Sequence, residues 1–513
     1  MNPRLRALCE LLMPDVREYA GLHEYDGQVQ DLSPSGVTAA LTRLGQGPSD
    51  PNAHDEAHLR TTEEGLRTAL GVVEEHRRNP LVHIANLDLA CYDREYAPPA
   101  ERQDARRRHL ASWPDAVDGA IESLDLVPAP VARSLVPATR GLGAGLEAGA
   151  GGTGGTGPSA DDEELEAAKK AHRRLVHHLE AIGDRGDPDV AIGGPSLARL
   201  MGDPEGIPVD LGRLAVRADA ERDRVRRLLD DACDRLRPGA RPGELLVELG
   251  ADHAGPEGIQ AEARALIAEA TAFVVDRDLL ADPGGECRVG PAPPSRRWAM
   301  AMMSWTAPFE ADAPAWYYVN PPDPAWPAEE QAEWLAVFSR TTLPAITVHE
   351  VTPGHYAHGR MLRRLDGDVR RILFSSAFVE GWAHYVEELV LDEGFHAEDP
   401  RFAIGVHVEA LVRITRLAVA VGIHTGDMSL EDAVHRFEED AFLRGPAARS
   451  EAERAGFDPT YGRYTWGKLE IRALQEEARV RWGRRYRHRR FHEALLGLGA
   501  PPLGLIGDAL GPR

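Results

Sequence analysis

A mainly α-helical chain with one small antiparallel β-sheet is the fold the sequence predicts, and three observations predict it. Apolar residues recur at helical spacing through most of the 513 residues. A single interval, 297–320, instead carries aromatic and β-compatible residues broken by Pro and Asp. No internal repeat is present, and the length suits two or three domains or one large two-lobed one. We read one two-lobed domain in four stretches: a helical region 1–140, a Gly-rich loop 141–158, a helical region 159–296 and a catalytic region 297–513.

In chain order, 62–77 and 101–124 have helical apolar spacing, the second interrupted at Pro114. His54 and His58 stand at i and i+4 beside Pro51 and Asn52, and read as a solvated loop or helix start without metal. The 141–158 stretch is rich in Gly, Ala and Thr, and its composition predicts a flexible loop. Ser159 with acids behind it predicts a helix start, and the helix is expected to reach Ala181. Further helices are expected at 210–236 and 256–275. Strands are expected at 297–305 and 315–320, and Trp316–Asn320 is our candidate for the edge that would hold an extended substrate. Helices then dominate: 328–339, 343–365 with a break at Pro353-Gly354, 375–391, 400–424, 429–442, 461–482, and a short one near Leu503.

A formal charge of −23 argues against a nucleic-acid partner, which requires a basic stripe. Lysine is confined to Lys169, Lys170 and Lys468, a compositional bias without functional content. The four cysteines form no Cys-x-x-Cys pair, so a cysteine zinc site is not expected. No apolar run is long enough to span a bilayer, and 1–13 lacks the apolar core of a signal peptide. A cytoplasmic protein with no membrane partner is the expectation.

The stretch His349-Glu350-Val351-Thr352-Pro353-Gly354-His355 reads as a metal site with its own general base. In the common His-Glu-x-x-His pattern the histidines sit at i and i+4 on one helical face. Here the second is at i+6, about 240° round a straight helix. The two converge only if the helix breaks between them, and Pro353-Gly354 are the residues to break it. A buried helix with incidental histidines is the alternative. Glu380 weighs against it: it lies 25 residues after His355 on an apolar helix, with His384 and Glu387 on the same face. His349, His355 and Glu380 are the expected ligands of one Zn²⁺ per chain, with a fourth position open for water. Glu350, next to His349, is the expected base. His358 and His384 are further contenders for the metal shell, and iron is an alternative ion because two histidines and a carboxylate also describe non-haem iron sites.

Together with Phe378-x-Glu380-Gly381-Trp382-Ala383, Gly422-Ile423-His424, Tyr464-x-x-Gly467-Lys468 and Phe491-His492-x-x-Leu495-Leu496, the motif resembles the bacterial domain-of-unknown-function-885 family, widely treated as zinc metallopeptidases. The likeness is good from about 297 to 510. It implies a helical, peptidase-like fold and a metal-dependent hydrolytic site beside the sheet. Family and chemistry both point to Tyr464 as the oxyanion donor, with His424 and Tyr461 as rivals. Arg413, Arg416 and Arg463 are candidates for a substrate carboxylate. The expected activity is hydrolysis of a peptide or small amide by metal-activated water. Metal chemistry on a small molecule and a non-catalytic helical scaffold are the other readings.

Overall fold

The computed structural model describes residues 1–147, 160–293, 296–297 and 300–511. Its frame is a set of long helices: α1 (Ala129–Glu147), α2 (Ala160–Arg185) and α3 (Leu211–Leu236). A three-stranded sheet follows, made of β1 (Cys287–Gly290), β2 (Ala301–Ser304) and β3 (Ala315–Val319). The site is built by α4 (Leu343–Glu350), α5 (His355–Leu362), α6 (Ser376–Asp392), α7 (Pro400–Thr425) and α8 (Arg463–Trp482).

Two apolar cores dominate. One gathers Phe378, Trp382 and Val386 of α6 with Trp466, Ile471 and Ala478 of α8. The other gathers Leu135 of α1, Leu175 of α2, Trp113, Phe437 and Tyr461. Helix α7 serves both, with Val406 and Leu417 in the first and Val419, Ala420 and Ile423 in the second. An apolar stripe wide enough to face two sides is what a central helix needs.

The chain is mainly helical, as its periodicity implies. The break expected at Pro114 falls at Ser112, between helices Pro99–Ala111 and Trp113–Ser123.

The sheet departs from expectation. Its order is β1-β3-β2, with β1 parallel and β2 antiparallel to β3, so it is mixed and not antiparallel throughout. Tyr317 in β3 is buried and opposes both Val289 and Met303. The Trp316–Asn320 segment is therefore central and has no open edge to offer; β2 has one.

The Gly-rich interval departs as well. Helix α1 continues through Gly141 and Gly143 to Glu147, and 148–158, with the proposed cap Ser159, lies outside the described residues. Packing outweighs composition here: Leu142 and Leu146 are buried, and a Cβ on Gly143 would come within 2.9 Å of the His172 ring of α2. Helix α2 runs past Ala181 to Arg185. His54 and His58 are buried, not solvated: Asn52 caps their helix, and His54 Nδ1 lies 2.7 Å from Asp508.

Among the described residues no helix is long and apolar enough to cross a membrane.

Burial holds several imidazoles neutral. It pushes His58, His109 and His492 down to about 3 and His83 to about 4, from an ordinary 6.5. These values are depressed in the folded chain, so their contribution to stability is complete above 6.5 and is lost as the pH falls toward them. Each contributes a loss of about 2 kcal/mol by about pH 5. The denaturation midpoint is expected to drop steeply between pH 7 and 5; a flat profile in urea titrations would contradict the neutral burial of these rings.

A candidate metal centre

The first two candidate ligands, His349 and His355, depend on a reversal of the chain. Helix α4 ends at Glu350, Val351 leaves helical geometry, and the Thr352–Pro353 peptide is cis. Gly354 then folds back over the helix end, where a Cβ would lie 1.8 Å from the His349 carbonyl oxygen. Only glycine fits. Gly354 N–H donates to the Val348 carbonyl at 3.2 Å, and the Trp382 indole N–H donates to Pro353 O at 2.9 Å. Helix α5 starts at His355, with its ring 4.8 Å from the His349 ring and nearly perpendicular to it. The i, i+6 spacing thus brings both imidazoles to one point.

The third ligand comes from α6, which Ser375 caps by accepting from Phe378 N–H at 3.0 Å. Helix α8 crosses α6 at two glycines. A Cβ on Gly381 would stand 2.5 Å from Gly467 Cα, and one on Gly467 would stand 1.9 Å from Ala377 O. This contact sets Tyr464, in the first turn of α8, beside the cluster: its ring lies 6.5 Å from the His349 ring, inclined by 24°.

His349 Nε2 and His355 Nε2 lie 3.6 and 3.4 Å from the same oxygen of Glu380, and the three ligand atoms all fall within 4.8 Å of one another. Such separations approach the ~3.3–3.4 Å between corners of a tetrahedron with bonds of about 2.0–2.1 Å. His349 Nδ1 is 2.6 Å from Glu387 Oε1, while Glu387 Oε2 is 3.2 Å from Arg413 and 3.7 Å from His384 Nδ1. A carboxylate holding Nδ1–H fixes the tautomer and leaves Nε2 as an electron-rich donor. The donor set therefore fits Zn²⁺, and His349, His355 and Glu380 are the residues that would hold it.

Charge also ties these groups to one another. Burial opposes ionisation of Glu387, yet Arg413 and His349 hold its carboxyl well below the usual range. Burial likewise opposes the charge on Glu380, and the two imidazoles hold its carboxyl well below the usual range. Burial and Arg413 oppose protonation of His349, but Glu380 and Glu387 prevail and push it up to about 9.

Glu350 is half-buried at the end of α4 and makes no hydrogen bond or ion pair to a described residue. The Tyr464 phenol is likewise uncommitted, while the Arg416 and Arg463 guanidinium groups lie 5.3 and 5.5 Å from its ring centre.

Other candidates lie elsewhere. His424 is a correction: its Nε2–H donates to Ala455 O at 2.8 Å, tying the end of α7 to the helix Gly445–Phe457, in the second core. His358 donates to Gly499 O at 3.2 Å and packs on Phe378, off the cluster. His384 is buried beside Glu387, behind the ligands. Tyr461 is fully buried. Arg413, Arg416 and Arg463 are engaged by Glu387, Glu451 and Asp458. Sequence reasoning missed Tyr19 and Trp305. The Trp305 ring lies 6.4 Å from His355, and its indole N–H donates to Tyr19 O at 3.1 Å. Nothing in local spacing signals a pairing across 286 residues.

Fold and site define a mainly helical protein with a buried cluster of two histidines and a glutamate. The chain belongs to the DUF885 family, bacterial proteins of unknown function, whose profile matches residues 14–510, well beyond the 297–510 carried by the motifs. No curated protein matches. Two solved structures share the fold. One is a "putative lipoprotein of unknown function" from Shewanella oneidensis, at TM-score 0.77 and 20% identity over 98% of each chain. The other is a "putative lipoprotein" from Colwellia psychrerythraea, at TM-score 0.76 and 16% identity, covering 98% of this chain and 96% of that one. These descriptions overturn the cytoplasmic expectation, which rested on the first thirteen residues, the scattered cysteines and the lack of a bilayer-length apolar run.

Proposed function

We propose that the chain is a zinc-dependent amide hydrolase acting on peptides. One observation carries the reading: His349, His355 and Glu380 converge while the adjacent Glu350 makes no hydrogen bond or ion pair among the described residues. Zinc, when bound, supplies a Lewis acid that polarises the amide carbonyl and lowers the pKa of water. Glu350 takes a proton from the attacking water and delivers it to the departing amine. The Tyr464 phenol donates to the oxygen on which charge develops. Glu387 and Arg413 keep the His349 ring oriented.

The edge open to an extended substrate is that of β2. Asn320 N–H donates to Met300 O, and with Met302 opposite Tyr318 the alternation turns Met302 and Ser304 toward β3. Ala301 and Met303 then present their N–H and C=O outward, where a peptide strand adds.

The test is metal content by mass spectrometry after zinc reconstitution. About one zinc per chain is expected in the wild type, with loss in both His349→Ala and Glu380→Ala. Stoichiometric iron would redirect the search to small-molecule substrates. No bound metal would leave the scaffold reading.

A further inference from the structure

The His355 side of the cluster carries an aromatic wall that the proposed chemistry does not use. Trp305 follows β2 directly and packs against α5 where Gly359 has no side chain; a Cβ there would come within 2.9 Å of the ring. The N–H of that indole is held by Tyr19 O, and Arg94 donates to the Trp305 carbonyl at 3.2 Å. Tyr19 itself lies 5.5 Å from Trp305 and 5.7 Å from Phe374, ring centre to ring centre. The wall is thus anchored from four separate segments of the chain.

These rings are only half-buried, whereas Trp382 and Phe378 nearby are fully enclosed. Partly exposed aromatic residues fixed in place beside a polar cluster are the make-up of a ligand pocket wall. We infer that Trp305 and Tyr19 form a side-chain subsite next to the hydrolysed bond, selecting an aromatic group on the substrate. The direction follows from the outward edge of β2: a strand paired to Met303 leads toward Trp305, two residues on. Ring-on-ring packing in offset or edge-to-face geometry supplies the preference.

This inference rests on the metal reading above, and the experiment separates the two. Acetohydroxamic and benzohydroxamic acids share a metal-binding head and differ by a phenyl ring. Their affinities for the zinc-reconstituted protein are measured by calorimetry, for wild type, Trp305→Leu and Tyr19→Leu. Zinc content and circular dichroism are checked for each, and Tyr19→Leu stands in if Trp305→Leu does not fold. The wild type is expected to prefer benzohydroxamate about tenfold. The preference is expected to shrink severalfold in either variant, with acetohydroxamate affinity and zinc content unchanged. Equal affinities in the wild type, or a preference that survives both substitutions, overturn the subsite alone. Failure of either hydroxamate to bind in a zinc-dependent way overturns the metal reading, and the subsite with it.

Discussion

Glu350→Gln is expected to lower peptide turnover by about 10²–10⁴-fold, the span of a lost general acid–base group. Zinc content should stay near one per chain, because Glu350 is not among the three clustered residues proposed to hold the metal. The amide keeps the shape of the side chain and removes only its capacity to accept and return a proton. Since Glu350 has no hydrogen-bond or ion-pair partner to lose among the described residues, the denaturation midpoint should stay within the error of the wild type. Initial rates on a fluorogenic peptide library, beside metal content and a urea titration, check all three. A variant that keeps most of its turnover would remove Glu350 from the mechanism while leaving the metal site intact.

Gly467→Ala is expected to cost about 3 kcal/mol or more, the upper range for forcing volume into a packed core. The added methyl would fall 1.9 Å from Ala377 O, and backbone has no rotamer by which to give way. Gly381→Ala meets the same contact from the other helix, 2.5 Å from Gly467 Cα. Gly141→Ala is the control: it lies in α1 with nothing within 4 Å of the new atom, so helix propensity alone predicts a gain of about 0.5–1 kcal/mol. Urea midpoints of the three variants decide the matter. If Gly467→Ala proves as stable as the wild type, the two helices do not cross as closely as described. The substitution is also expected to act on chemistry, since α6 carries Glu380 and α8 carries Tyr464 in its first turn.

Much of the site was legible because its signals are local. His349, Glu350 and His355 sit in one short stretch, and the Pro353-Gly354 pair announces the reversal that unites them. Glu380, His384 and Glu387 share a helical face, so their common direction follows from spacing alone. Gly381 and Gly467 were visible as parts of motifs, but their meaning was not: each is explained only by the other, across helices. His424 looked functional by the same token and is an anchor for Ala455 instead. The sheet's residue types were readable, while its strand order was not, because pairing is decided by partners far along the chain. Residue type alone therefore marks Trp316–Asn320 as a strand without marking it as central. In 141–147, composition spoke for a loop, and the face presented by α2 decided for a helix.

The clasp around Trp305 has a bearing on how this chain can be cut or altered. Tyr19 takes the indole hydrogen bond, Arg94 takes the Trp305 carbonyl, and both His23 and Arg94 hold Glu310 just beyond it. The strip of chain bordering the cluster is therefore tailored by residues from the first hundred positions. A fragment comprising only the motif-bearing half would retain all three clustered residues and lose the mould that shapes their neighbourhood. Natural variation in the amino-terminal segment is then a means of retuning the centre without touching it.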